Sequence, residues 1–325
     1  MKSMRRDFEA FCNGPVIDHN TSHSLIDRAF FFDDETLDFE TLKIHITRLA
    51  QAGVAGLVIQ GSNGEAPHLL HSERKEVIST AAAILKEKRR PEAVIIAGCG
   101  AQSTRETIQL CQEAQESGAD YALVLSPSYW VGAMQPPTIQ KFFTDVATAS
   151  PIPILLCNFP AVTGGIDLDS DLITSLASSN PGKIVGCKLT CGNIGKLHRV
   201  AHDRRIETPF AAFAGKSEFF LHGLVAGSNG LIGAAVNLVP KVHVKLLELY
   251  DAGDLAAAQE LQTRLSETDW VLVKLGVSGL KAALEKYYKY GGGRSRRPLN
   301  PVQSSVFSEE RDVILRRIVE LEQTL

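Results

Sequence analysis

Ile152-Pro153-Ile154-Leu155-Leu156-Cys157-Asn158 is followed by an amphipathic stretch, Ser170–Ser178, and then by Lys183-Ile184-Val185-Gly186-Cys187-Lys188. The two apolar runs lack the alternation of a strand with one wet face, so they read as strands buried on both sides, the pattern of a parallel sheet covered by crossover helices. The same unit recurs on either side. Candidate strands are Gly14–Ile17, Gly53–Gln60, Ala93–Ala97, Ala119–Ser126, Ile152–Asn158, Lys183–Lys188, Phe210–Ala214 and Gly230–Gly233. Between and after them lie helical patterns at Asp38–Gln51, Ser72–Lys86, Ser103–Ser117, Pro137–Ala149, Ser170–Ser178, Asn193–Ala201, Lys216–Ala226 and Leu238–Asp251. Ser103 with Glu106 three residues on fits a capping box, and Ser72 is the predicted start of the second helix. Eight such units in about 240 residues match a closed (β/α)8 TIM barrel, typically about 250 residues long. An open doubly wound sheet would need a glycine-rich dinucleotide turn after the first strand, and Asp18-His19-Asn20-Thr21 is not one.

Beyond the barrel the texture changes. Ala256–Glu267, Trp270–Tyr288 and Ser308–Thr324 are helical in pattern with no strand between them, so a C-terminal three-helix extension is predicted. The expected division is an N-terminal extension at 1–13, a catalytic barrel at 14–253 and a helical region at 254–325. The basic turn Gly291-Gly292-Gly293-Arg294-Ser295-Arg296-Arg297 reads as solvated.

The chain has 325 residues, 44% of them hydrophobic, enough for a large core, and a net charge of −3. With a pI near 6.3 and no long basic run, neither nucleic acid nor an anionic membrane is an expected partner. Six cysteines (Cys12, Cys99, Cys111, Cys157, Cys187 and Cys191) include no Cys-x-x-Cys pair, and the nine histidines complete no zinc-ligand spacing, so no metal and no cofactor is expected. The cysteines read as reduced thiols. No apolar segment is long enough to span a membrane and no secretory pattern follows Met1, which points to the cytoplasm and leaves mitochondrial import open.

In a barrel of this type the chemistry lies at the C-terminal ends of the strands. Lys188 ends the sixth strand, where an ammonium is costly to solvate, so it is either paired with a carboxylate or held partly neutral as an amine nucleophile. The second strand ends in Gly61-Ser62-Asn63-Gly64-Glu65, whose backbone N–H groups suit an anion. The fourth ends in Pro127-Ser128-Tyr129-Trp130, the fifth in Cys157-Asn158-Phe159-Pro160 and the seventh in Gly215-Lys216.

Together with Ala97-Gly98-Cys99-Gly100, Gly186-Cys187-Lys188 and Gly227-Ser228-Asn229-Gly230-Leu231-Ile232, these pieces resemble the pyruvate-dependent class I aldolases and lyases. That family includes dihydrodipicolinate synthase, N-acetylneuraminate lyase, 4-hydroxy-2-oxoglutarate aldolase and the 2-keto-3-deoxy sugar-acid aldolases. The resemblance runs from about Gly14 to the C-terminus. It implies that Lys188 forms the Schiff base with pyruvate and that Ser62, Asn63 and Gly64 hold the pyruvate carboxylate, Ser62 also passing a proton. Tyr129 is implied as a proton relay reaching a neighbouring subunit's site, and Gly215 and Ile232 as pocket lining. The expected partners are pyruvate and a small aldehyde or 2-oxo acid, in a homodimer or homotetramer.

The chain departs from the family at two places. Cys157 stands where a tyrosine normally handles protons beside the lysine, and it is carried forward as a catalytic candidate. Val162 stands where dihydrodipicolinate synthases carry a substrate-binding arginine. The expected activity is therefore cleavage or formation of a 4-hydroxy-2-oxo acid, either a 2-keto-3-deoxy sugar acid or 4-hydroxy-2-oxoglutarate. The alternatives are dihydrodipicolinate synthesis or a catalytically attenuated metabolite binder.

Overall fold

The computed structural model describes residues 24–25, 29–90, 92–302 and 306–325. Parallel strands β1 (Ser24–Leu25), β2 (Gly56–Ile59), β3 (Val94–Gly98), β4 (Tyr121–Leu125), β5 (Ile154–Asn158), β6 (Ile184–Leu189), β7 (Ala211–Ala214) and β8 (Gly230–Ile232) form one sheet. Its order runs from β2 through β8 and on to β1, which lies back beside β2, the nearly closed arrangement of a (β/α)8 barrel. The predicted strand Gly14–Ile17 and the 1–13 extension lie outside the described residues.

Helices α1 (Phe39–Gln51), α2 (His71–Glu87), α3 (Thr104–Glu116), α4 (Pro136–Ala149), α5 (Ser170–Ser179), α6 (Ile194–Ala201), α7 (Phe220–Val225) and α8 (Pro240–Asp251) follow the strands in turn. Four of these helices start at side chains that accept otherwise orphaned N–H groups. Asp38 accepts from Thr41, Ser103 from Glu106, Asp169 from Leu172 and Asn193 from Lys196, at 2.8–3.2 Å. Ser72 is not such a cap. The helix begins one residue earlier, and Glu73 reaches back to the Leu70 N–H at 2.8 Å.

After the barrel come α9 (Leu255–Tyr288) and α10 (Glu309–Thr324). The predicted break between Glu267 and Trp270 is absent: the helix runs on through Thr268 and Asp269 and kinks at Gly276, whose φ of 66° only glycine adopts cheaply. These helices dock by capping the barrel's own helices. Glu322 accepts the N–H groups of Lys241 and Val242 at 3.1 and 3.0 Å, Gln262 accepts that of Leu221 at 2.7 Å, and Asp269 that of Glu218 at 3.2 Å. Burial pushes the Asp269 carboxyl up to about 6 and the Glu322 carboxyl up to about 7. Among the described residues no helix is long and apolar enough to cross a membrane.

The Arg294–Arg297 run is not simply solvated, because Arg296 forks onto Glu73 at 2.7 Å through both terminal nitrogens and donates to the His68 carbonyl at 2.7 Å. Its sequence neighbours alone could not reveal that a carboxylate on α2 waits for it.

His243 on α8 is fully buried, its Nδ1–H donating to the Val239 carbonyl at 2.7 Å while Nε2 accepts from Ser217 Oγ at 2.8 Å. Desolvation pushes it down to about 4. An unfolded histidine titrates near 6.5, so the unfolded chain binds the extra proton below that pH and stability falls as pH falls from 6.5 towards 4. Between pH 6.5 and 5 this group removes about 2 kcal/mol at 1.36 kcal/mol per pH unit. Because Asp269 and Glu322 pull the other way, the measurement is a difference: urea unfolding of the native chain against His243→Gln at both pH values. Equal slopes for the two chains would show that His243 carries none of the dependence.

Candidate active site

One layer across the barrel brings the central residues together. Register pairs Leu125 with Cys157, Cys157 with Lys188, Lys188 with Phe213, and Phe213 with Gly230. The direction of Lys188 follows from an irregularity in β6. Val185 packs inside the barrel and Ile184 against the helices, but the register shifts at this point, where Ile154 pairs Ile184 and Leu155 pairs Gly186. Past the bulge the phase is inverted: Cys187 and Leu189 face the helices, and Gly186 and Lys188 face the lumen. A Cβ on Gly186 would lie 2.6 Å from the Ala211 carbonyl oxygen and 3.3 Å from the Leu155 side chain, so only glycine fits beside the bulge.

Lys188 is half-buried, with Cys157, Phe213 and Ile232 in the interior apolar cluster around it. Neighbouring lysines are neutralised locally: Lys196 pairs with Asp167, Lys216 with Glu218 at 3.0 Å, and Lys281 with Glu65. Lys188 forms no ion pair among the described residues. Of the two readings of a strand-end lysine, structural pairing finds no carboxylate among the described residues.

Cys157 is 4% exposed. Burial pushes its thiol up, opposed by the nearby Lys188 charge, so it is a protonated thiol at neutral pH and a poor proton acceptor. Asn158 beside it is spent on structure, its amide donating to Asp167 at 2.6 Å and its oxygen accepting the Leu168 N–H at 2.9 Å.

Ser62, Asn63 and Gly64 form a single 3-10 turn at the end of β2, the first two half-buried and Gly64 buried. The Gly64 N–H bonds the Gly61 carbonyl at 3.1 Å and the Glu65 N–H the Ser62 carbonyl at 3.3 Å. The backbone donors of Ser62 and Asn63 have no partner among the described residues, so the anion-binding capacity expected of the whole loop narrows to these two.

Tyr129 stands on the rim, 74% exposed, stacked edge-on against Trp130 with ring centroids 4.9 Å apart. Within a single chain it lies outside the lumen cluster. Gln102 holds it there by accepting the N–H groups of Ser128 and Tyr129, both at 2.8 Å.

Gly215 packs directly on the strand that carries Lys188, and a Cβ there would meet Thr190 Cα at 2.4 Å and Thr190 Oγ1 at 2.5 Å. Thr190 was not among the residues singled out from the sequence. Two positions beyond the lysine, it has a buried hydroxyl with no hydrogen-bond partner among the described residues, which a β-turn-like Leu189-Thr190-Cys191-Gly192 gives no reason to expect.

A half-buried lysine in a barrel lumen, and at the end of another strand two turn amides without a partner among the described residues, make this mouth a candidate enzyme site, since such barrels work there. The chain belongs to the dihydrodipicolinate synthetase family, whose model matches residues 28–316. It is 41% identical over 322 residues to the L-threo-3-deoxy-hexylosonate aldolase of Aspergillus niger, spanning 91% of this chain and 94% of that one. It is 43% identical over 270 residues to an Emericella nidulans protein named "Probable 4-hydroxy-2-oxoglutarate aldolase, mitochondrial", spanning 83% and 86%. Among solved structures, Escherichia coli YagE in complex with pyruvate superposes with a TM-score of 0.81 at 28% identity, covering 94% of this chain and 99% of that one.

Proposed function

We propose that the chain is a class I aldolase that forms a lysine–pyruvate imine and cleaves or builds a 4-hydroxy-2-oxo acid. The observation that carries this reading is Lys188, which has no ion pair among the described residues, in the apolar lumen layer between Cys157 and Phe213. A neutral amine there attacks the pyruvate ketone. Loss of water gives a protonated imine, which draws electrons from the methyl carbon, and loss of a methyl proton gives the enamine that adds to an aldehyde. Retro-aldol cleavage is the reverse. The free N–H groups of Ser62 and Asn63 receive the pyruvate carboxylate, the Ser62 hydroxyl and Tyr129 move protons, and Gly215 and Ile232 shape the pocket. Tyr129, exposed on the rim of one chain, serves a second copy in a homodimer or homotetramer.

The aldehyde partner favoured is a neutral polyol, which makes the substrate a 2-keto-3-deoxy sugar acid. Thr190 offers a hydroxyl with no partner among the described residues, whereas Lys216 at the end of β7 is already paired with Glu218 and Val162 brings no charge for a second carboxylate. The same absence of charge at Val162 speaks against dihydrodipicolinate synthesis. The compartment favoured is the cytoplasm, with mitochondrial import kept open by the mitochondrial designation of the Emericella relative.

Borohydride added with pyruvate is expected to inactivate the protein and to leave its mass increment on the peptide holding Lys188. Folded protein with that peptide unmodified would sink the reading. In a substrate panel with pyruvate detection, the sugar acid is expected to exceed 4-hydroxy-2-oxoglutarate in kcat/KM, and the opposite order would reassign the partner.

A second reading, an attenuated enzyme, is favoured by the raised thiol of Cys157. It predicts that Cys157→Ala changes turnover by less than about tenfold, because a thiol that is no proton acceptor contributes little general-base catalysis, which is typically worth about 10²–10⁴-fold. A larger loss assigns the thiol a step of its own.

A further inference from the structure

We infer that Glu65 is a positioning residue for the carboxylate-binding turn, aimed by a buried strap that joins the barrel mouth to the C-terminal helices. This rests on the reading of Ser62-Asn63-Gly64 given above. Glu65 follows that turn directly and takes a left-handed backbone, φ 57° and ψ 36°, which a glutamate adopts only when its surroundings hold it there. Its carboxylate is 1% exposed and both oxygens are committed. One pairs with the fully buried Lys281 on α9, and the other accepts from His68 Nδ1 at 3.0 Å and from the Arg296 backbone N–H at 2.9 Å. The strap continues outward, with Arg296 forked onto Glu73 and the Phe31 ring lying 4.4 Å from Lys281 Nζ and 4.6 Å from the Arg296 guanidinium carbon.

Two consequences follow for the turn. Because the Glu65 N–H closes on the Ser62 carbonyl, fixing Glu65 fixes the direction in which the free Ser62 and Asn63 N–H groups point. Lys281 also balances the Glu65 charge, so an incoming carboxylate meets no net repulsion from the residue beside its site. A buried ion pair is often no more stabilising than apolar replacements of the same volume, so its directional effect on the turn is the better account of its presence.

The test compares borohydride trapping of pyruvate with that of acetone, a ketone lacking the carboxylate, in E65Q/K281M and in Glu65→Asp, which keeps the charge but shortens the arm. Displacing the turn by a fraction of an ångström is expected to raise the half-saturating pyruvate concentration about tenfold or more. The maximal rate at saturating pyruvate and the acetone rate should change far less. A purely architectural role would lower both ketones together through loss of folded protein. Either variant, folded by circular dichroism and with an unchanged pyruvate-over-acetone ratio, overturns the proposal. Native protein that traps no pyruvate would instead refute the aldolase reading beneath it.

Discussion

The Lys188→Met chain is expected to fold, to bind pyruvate without trapping it under borohydride, and to lose pyruvate-dependent turnover roughly ten-thousandfold or more, the scale seen when a covalent nucleophile is removed. Methionine matches the length and volume of the lysine stem, so the lumen layer of Leu125, Cys157 and Phe213 keeps its packing. It also removes an amine that has no ion pair among the described residues, and the urea midpoint is therefore expected to equal or exceed that of the native chain. Loss of activity at undiminished stability is the signature of a group retained for chemistry. The assay is single-turnover formation of the reduced adduct together with urea unfolding. A folded variant whose turnover stays within about a hundredfold of native would move the nucleophile elsewhere.

Gly215→Ala is expected to damage both stability and rate, because the clash it creates is with backbone. The added carbon would sit 2.4 Å from Thr190 Cα and 2.5 Å from its nitrogen, and no rotamer change relieves that. The end of β6 must move, and with it Thr190 and Lys188. The expected costs are about 1–3 kcal/mol in stability, the usual range for overpacking a core, and about a hundredfold in kcat/KM from an ångström-scale misplacement of the nucleophile. Gly132→Ala is the control: nothing lies within 4 Å of its added carbon, so its stability should stay within about 0.5 kcal/mol of native. A Gly215→Ala chain as stable and as active as that control would show that the β6–β7 contact is looser than its geometry implies.

The strand–helix period was legible because it depends on local burial alone. Ile152–Asn158 and Lys183–Lys188 are apolar on both faces, and each lies within a residue or two of the observed strand. Capping was legible where the side chain is local, as at Ser103, and misread at Ser72, where Glu73 rather than serine satisfies the first amide. The helix break was sought near Thr268 and Asp269, but Asp269 is occupied with a distant amide on the barrel, and the kink falls at Gly276, whose backbone requires it. Thr190 and Lys281 carried no signal, and Glu65 was legible only as the last residue of the turn after the second strand. Their roles come from partners more than two hundred residues away, as between Glu65 and Lys281, or from the lack of a partner among the described residues, as at Thr190.

The sequence by itself determined the barrel, the strand that carries Lys188 and the turn that ends at Glu65, because hydrophobic period and turn residues act over a few positions. Only the tertiary structure decided which way Lys188 faces, since a single bulge inverts every side chain after it. It alone decided, too, that Glu65 and Arg296 belong to one buried network, since ion pairs form between whatever groups the closed barrel brings within a few ångströms.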